Sequence, residues 1–200
     1  LAGVVEWIEL EAKRTAGSNE ITALFADSNA DLSALVWDGT SVWGTEPATA
    51  LETNLEDIGA GTNPTVKSFD GAYETSSGDF IASWGFSTPP DTGTSNIRYV
   101  TRPSAGAWSA VTPNTEFPEI ATVVEMEADY ALTSNYIIHA SQNPITRDNQ
   151  CVTWSGTAWP AAIGNCNTNA LPQIAGNHGF GIQVLPNTAK RAVVIWPGST

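Results

Sequence analysis

The side chains that could carry out catalysis in this chain are few: two histidines, two cysteines and a scatter of acids. His139 sits inside the apolar run Ile137–Ile138–His139–Ala140, which suits a hydrogen-bonded core histidine. His178 lies in Gly176–Asn177–His178–Gly179, which reads as a turn. Neither a G-x-S-x-G elbow nor an H-E-x-x-H pair occurs, so nucleophilic and zinc-assisted hydrolysis both lack their motifs. Glu119, Glu125, Glu127 and Asp129 are close in sequence, and a glycosidase needs two carboxylates at a fixed separation. On a chain of net charge −13, however, such residues read first as solvated acids. The expectation is a non-enzyme.

Binding chemistry has better candidates. Trp37, Asp38 and Trp43 bracket one short loop, Trp154 and Trp159 bracket another, and Trp108 closes a third. A tryptophan face beside Asp or Asn holds sugar rings through apolar contact and directed hydrogen bonds. The same recurrence is also what packing between repeated units would produce. Asp27, Asn29 and Asp31 place oxygens at alternate positions, like the opening of a calcium loop. Leu32 stands where such a loop wants glycine, and Asp38 where it wants a bidentate glutamate, so a hairpin turn is the simpler reading. Calcium is the only cofactor the sequence suggests. Cys151 and Cys166 are 15 positions apart around a Gly/Asn-rich turn. A bridge between them would stabilise the fold by about 3 kcal/mol in the chain-entropy account; two buried thiols are the alternative.

Composition limits the partners. With only 8 Lys and Arg, the chain lacks the basic cluster that nucleic acid or an anionic membrane surface requires. No apolar run approaches the roughly 20 residues of a spanning helix. Charged residues make up 14% of the chain, and Thr, Ser, Asn and Gly carry the polar balance, which suits strands and tight turns. The sequence opens at Leu1 with no signal-like stretch, and a targeting segment is expected upstream or already removed.

The positioning elements repeat. An apolar strand, a small loop and a closing Trp recur in LSALVWDGTSVW (Leu32 to Trp43), NIRYVTRPSAGAW (Asn96 to Trp108) and QCVTWSGTAW (Gln150 to Trp159). Strands precede each, at Glu20, Phe69, Asn135 and Phe180, and the VVE triplet occurs at Val4 and again at Val123. This spacing predicts three units, 1–58, 59–115 and 116–172, and an incomplete fourth, 173–200. In Leu32–Trp37 and Ile21–Ala26 both strand faces are mostly apolar, so each small sheet must be covered on both sides. Antiparallel sheets stacked face to face around an axis meet that demand better than a two-sheet sandwich. The fold class expected is all-β: a propeller-like tandem repeat of about three and a half units. Asp38–Gly39, Ser76–Ser77–Gly78–Asp79 and Ser155–Gly156 supply the turns, and Pro89–Pro90 with Gly93 mark a longer loop. Leu1 to Gly17 reads two ways, as a strand or as a helix with acids early and Lys13 and Arg14 late.

The segments Ala26–Asp27–Ser28–Asn29–Ala30–Asp31–Leu32 and Val36–Trp37–Asp38–Gly39–Thr40–Ser41–Val42–Trp43 resemble a repeat of large secreted or surface proteins of bacteria. More remotely, the pattern is similar to the Asp-box propellers of sialidases and to fucose-binding lectin propellers. The resemblance implies a propeller-like fold. Ser76 to Trp84 only loosely follows the strict Asp-box, so no sialidase activity is carried over. The role expected is structural or adhesive display at the cell surface or outside the cell, in contact with other subunits or further repeats, with glycan binding through the Trp-lined loops as the alternative.

Overall fold

The structure, a computed structural model, describes residues 3–44, 47, 49–56, 66–86, 97–104, 106–116, 121–143, 149–160, 164–167, 181–185 and 192–195, with the side chains at 164–167 and 192–195 excepted. The Pro89–Pro90–Gly93 loop, Glu119, His178 and the Cys166 side chain lie outside the described residues.

Among the described residues there is no helix, and every regular element is a strand. β1 (Val5–Ala12), β2 (Ile21–Asp27), β3 (Leu32–Trp37) and β4 (Trp43–Gly44) form an antiparallel meander. β5 (Phe69–Tyr73), β6 (Phe80–Gly85), β7 (Ile97–Arg102) and β8 (Thr112–Pro113) form a second. β9 (Val123–Ala128), β10 (Ile137–Gln142), β11 (Asn149–Trp154) and β12 (Gly164–Asn167) form a third, and β13 (Gly181–Val184) pairs with β14 (Ala192–Ile195) as a two-stranded fourth. The N-terminal segment, for which a helix was one of two readings, is a strand. Its backbone groups pair with β2 from Val5 to Ala12, so the helical alternative loses to a full ladder of inter-strand bonds.

The hairpins follow from turn chemistry. Gly39, Gly78 and Gly156 all take positive φ, between 72° and 94°, at the turns that the sequence marks. The β2–β3 turn is tied by Asp27, whose Oδ1 accepts the backbone N–H of Asn29 at 2.9 Å and of Asp31 at 3.1 Å. That arrangement holds Ala30 in the left-handed region, with φ 61°.

The sheets stack in chain order, and the first strand of each meets the first strand of the next: β1 packs on β5, β5 on β9 and β9 on β13. Three apolar clusters fill the joints. Leu24, Ala26, Leu32 and Ala34 of the first sheet meet Phe69, Tyr73, Phe80 and Trp84 of the second. Ala72, Ile81 and Ile97 on the other face of the second sheet meet Val124, Met126, Ile137 and Trp154 of the third. Val123 and Ala140, on the far face of the third, meet Ile182 of the fourth. Every residue of β5 and β6 is therefore buried, as a sheet covered on both faces requires. Each large side chain so enclosed contributes about 1.5–3 kcal/mol.

Two glycines show how closely the sheets approach. A Cβ on Gly71 would collide with Phe80 Cζ and come within 3.0 Å of Leu24 Cδ1 across the first joint. A Cβ on Gly85 would overlap the backbone oxygen of Ala121, which cannot turn aside as a side chain can. Gly85→Ala is expected to destabilise the protein by about 3 kcal/mol through overpacking, and thermal unfolding measures it. Gly181→Ala, where a Cβ meets nothing within 4 Å, is expected to leave the melting temperature unchanged.

Candidate functional site

Glu52 is placed by backbone pairing outside any strand. Its N–H and that of Leu51 both donate to Leu32 O, and its own carbonyl accepts from Leu32 N–H at 2.9 Å. This pins a buried carboxylate at the joint between the first two sheets. Oε1 accepts the backbone N–H groups of Thr53 (3.0 Å) and Asn54 (3.2 Å). Oε2 accepts Trp84 Nε1 at 3.0 Å and Arg98 Nη1 at 2.8 Å. Four donors thus compensate the cost of burying the charge. The Arg98 guanidinium lies 3.7 Å from the centroid of the Phe86 ring. Held by Glu52 on one arm and by Phe86 on its face, it keeps 30% of its side-chain surface exposed and donates one N–H to a carboxylate among the described residues. A guanidinium carries five N–H donors in a planar fork, and the exposed part of this one faces solvent.

The tryptophans singled out in the sequence separate into two groups. Trp154 is 5% exposed and donates Nε1 to Glu74 Oε1 of the second sheet at 2.6 Å, so it is a joint between sheets. Trp159 packs on it, with ring centroids 5.2 Å apart, and also on Tyr99 and His139. Trp108 packs edge-on against Phe80. Trp37 and Trp43 form a pair with centroids 5.7 Å apart, and Trp43 is 44% exposed. Asp38 sits on the same hairpin, exposed; its Oδ1 accepts the N–H groups of Ser41, Thr40 and Val42, which pulls its pKa down to about 2. His139 is fully buried, and desolvation takes its pKa to about 3, so it stays neutral.

Asp27 is buried and its two oxygens receive three backbone N–H groups, from Gly3, Asn29 and Asp31. These hydrogen bonds hold its pKa low even though burial pushes the other way. Asp31 stands near it, its own pKa raised by burial and then by the Asp27 charge. Cys151 lies on β11 and Cys166 on β12, which pair edge to edge.

A second polar cluster lies where the first strands converge. Lys67 Nζ reaches Glu9 Oε2 at 2.8 Å, Glu125 Oε1 at 3.5 Å and Asp70 Oδ1 at 3.7 Å. Glu11 stands beside them, its oxygen within 4.8 Å of those of Glu9 and Asp70. Asp70 also accepts Met126 N–H at 2.6 Å and Gly71 N–H at 2.8 Å, so its carboxyl ties the second sheet to the third. Burial drives the Asp70 pKa well up. Burial, followed by repulsion from Glu127 and Glu9, raises Glu11 to about 7. The Lys67 ammonium supplies the countercharge in this crowded group.

Glu52, Arg98, Lys67 and Asp70 were not singled out in the sequence; Glu125 was, as one of the clustered acids, and it stands beside Lys67. The available signal was Arg98 and Arg102 within the apolar strand run IRYVTR, since an arginine there must find a carboxylate. Nothing in the sequence placed Glu52 opposite it.

No protein-family model matches the chain, and no curated protein matches it in sequence. Solved structures do match. A lectin from Burkholderia pseudomallei aligns with a TM-score of 0.52 at 12% identity, covering 87% of this chain and 43% of that one. A fucose-specific lectin from Aleuria aurantia aligns at 0.48 and 13% identity, covering 95% and 53%. An exo-β-1,3-galactanase from Phanerochaete chrysosporium aligns at 0.44 and 7% identity, covering 98% and 43%. The chain thus spans about half the length of these proteins or less. The first alignment shows the fold: all-β, propeller-like, built of small antiparallel sheets.

The acids around Lys67 make stability depend on pH. The folded-state pKa of Glu11, about 7, stands above its ordinary value of 4.5, so the folded protein holds that proton more tightly than the unfolded chain does. Its contribution is present in full below about pH 4.5, declines as pH rises towards 7, and is flat above that. Glu11→Gln is expected to raise the melting temperature at pH 8 relative to the parent and to leave it nearly unchanged at pH 4.5, measured by thermal unfolding at constant ionic strength.

Proposed function

We propose that this chain is a carbohydrate-binding, lectin-like β-propeller module that acts outside the cell or at its surface. The observation that carries the reading is Arg98: a guanidinium immobilised by Glu52 and Phe86, with 30% of its side chain exposed at a joint between sheets. A preorganised, charged donor beside an aromatic wall suits the hydroxyl or carboxylate oxygens of a saccharide, because little side-chain entropy remains to be lost on binding. The likeness in fold to a bacterial lectin supports the same reading. Structural or adhesive display, the other role expected from the sequence, is compatible with it, since a surface repeat that binds glycans is an adhesive one.

The Trp37–Trp43 pair with Asp38 is a second candidate, with Trp43 exposed, and the test separates the two. The protein is applied to a glycan array, and the best ligand is then titrated by calorimetry. Arg98→Met is expected to raise Kd about 10- to 100-fold, the loss of one charge-assisted hydrogen bond of about 1.5–3 kcal/mol. Trp43→Ala and Trp159→Ala are expected to change Kd less than threefold. Failure of the parent to bind any glycan removes the reading. Loss of binding in Trp43→Ala with full binding in Arg98→Met moves the site to the tryptophan pair.

A further inference from the structure

The class of sugar that Arg98 suits follows from the hydrogen-bonding capacity around it. Glu52 has no acceptor left. A carboxylate offers about four lone-pair positions, and four N–H groups occupy them: Thr53 and Asn54 on Oε1, Trp84 and Arg98 on Oε2. The Glu52 side chain is only 3% exposed. Phe86 is buried under the guanidinium face and brings no polar atom of its side chain. What this joint shows to solvent is the guanidinium, a group that donates hydrogen bonds and accepts none.

Arg102, at the other end of β7, shows what a closed joint looks like. Its Nη1 and Nη2 both face Glu20, at 3.0 Å and 3.5 Å, and the residue is buried. One carboxylate takes both ends of that fork. Arg98 meets Glu52 through Nη1 alone. Among the described residues Glu52 is the one acid in ion-pair range of Arg98, whereas Lys67 has three acids around it. A second carboxylate at Arg98 is therefore within the charge crowding that this protein already accommodates.

A neutral sugar hydroxyl brings a donor as well as an acceptor, and beside a donor-only group its own O–H finds no partner on the protein. A carboxylate brings acceptors alone. Its two coplanar oxygens match the guanidinium fork, and such charge-assisted bonds are roughly twice as strong as neutral ones. The net charge of −13 acts weakly at a distance, since salt screens exposed charges beyond about 8 Å at physiological ionic strength. We infer that the sugar unit bound at Arg98 is an acidic one, a uronic or sialic acid whose carboxylate pairs with the exposed part of the guanidinium. This rests on the sugar-binding reading and narrows it.

Two acids, methyl glucuronide and a methyl sialoside, are titrated into the protein by calorimetry, each beside its own carboxyl methyl ester. The ester keeps the ring and the hydroxyls and removes the charge. At least one acid is expected to bind about 10-fold or more tightly than its ester, and which acid does so tells a uronic from a sialic ligand. Esters that bind as well as their acids overturn this inference and leave the sugar-binding reading standing. If no acid, ester or arrayed glycan binds, both fall. Arg98→Lys keeps the charge and loses the fork; it is expected to cut the preference for the acid to less than about threefold, with thermal unfolding confirming that the variant is folded. A folded Arg98→Lys protein that keeps the parent's preference places the carboxylate elsewhere and overturns the assignment to Arg98.

Discussion

A β-sheet that is apolar on both faces cannot be stable with water on either one, and this constraint organises the protein. Among the described residues each sheet has two to four strands, too few to bury much apolar surface by itself. Burial comes from stacking, so every sheet depends on the sheet before it and the sheet after it. The second sheet, covered on both sides, is buried through β5 and β6. The first, covered on one side by the described residues, leaves Ile8 and Leu10 in water. The contrast lies in the number of neighbours.

Stacked apolar faces are non-directional, and polar joints give them register. Tyr73 hydroxyl meets Thr22 and Glu20, Arg102 donates to Glu20 at 3.0 Å, and Trp154 donates to Glu74. Asp70 receives Met126 N–H from the next sheet. Each joint leaves a buried group unsatisfied if the sheets slide, and an unsatisfied buried group costs more than a satisfied one contributes. Glu52 belongs to the same class. It differs in that its arginine partner reaches the surface.

Part of this was legible from residue order. Doubly apolar strands, glycine turns and the closing tryptophans implied small stacked sheets, and His139 read as a core residue before its burial was known. The segment at residues 1–17 was ambiguous because alternating acids and apolar residues satisfy both periodicities over a short span. The pairing edge of β2 decided it. The role of each tryptophan was also hidden. Trp37 and Trp154 occupy the same place in their units, yet Trp154 is a buried donor to Glu74 and Trp37 is half-buried beside Trp43, because among the described residues only Trp154 has a sheet packed on that side.

Local chemistry, then, determined what could be encoded along the chain: strand character, turn positions, acidity and the repeat itself, all of which depend on near neighbours in sequence. Tertiary structure alone decided which carboxylate met which donor. Glu52 and Arg98 are 46 positions apart, and their encounter required two sheets to stack in a register set by side chains on both. It also decided which apolar face remained in water, since that depends on which sheets have neighbours and not on the composition of any one strand.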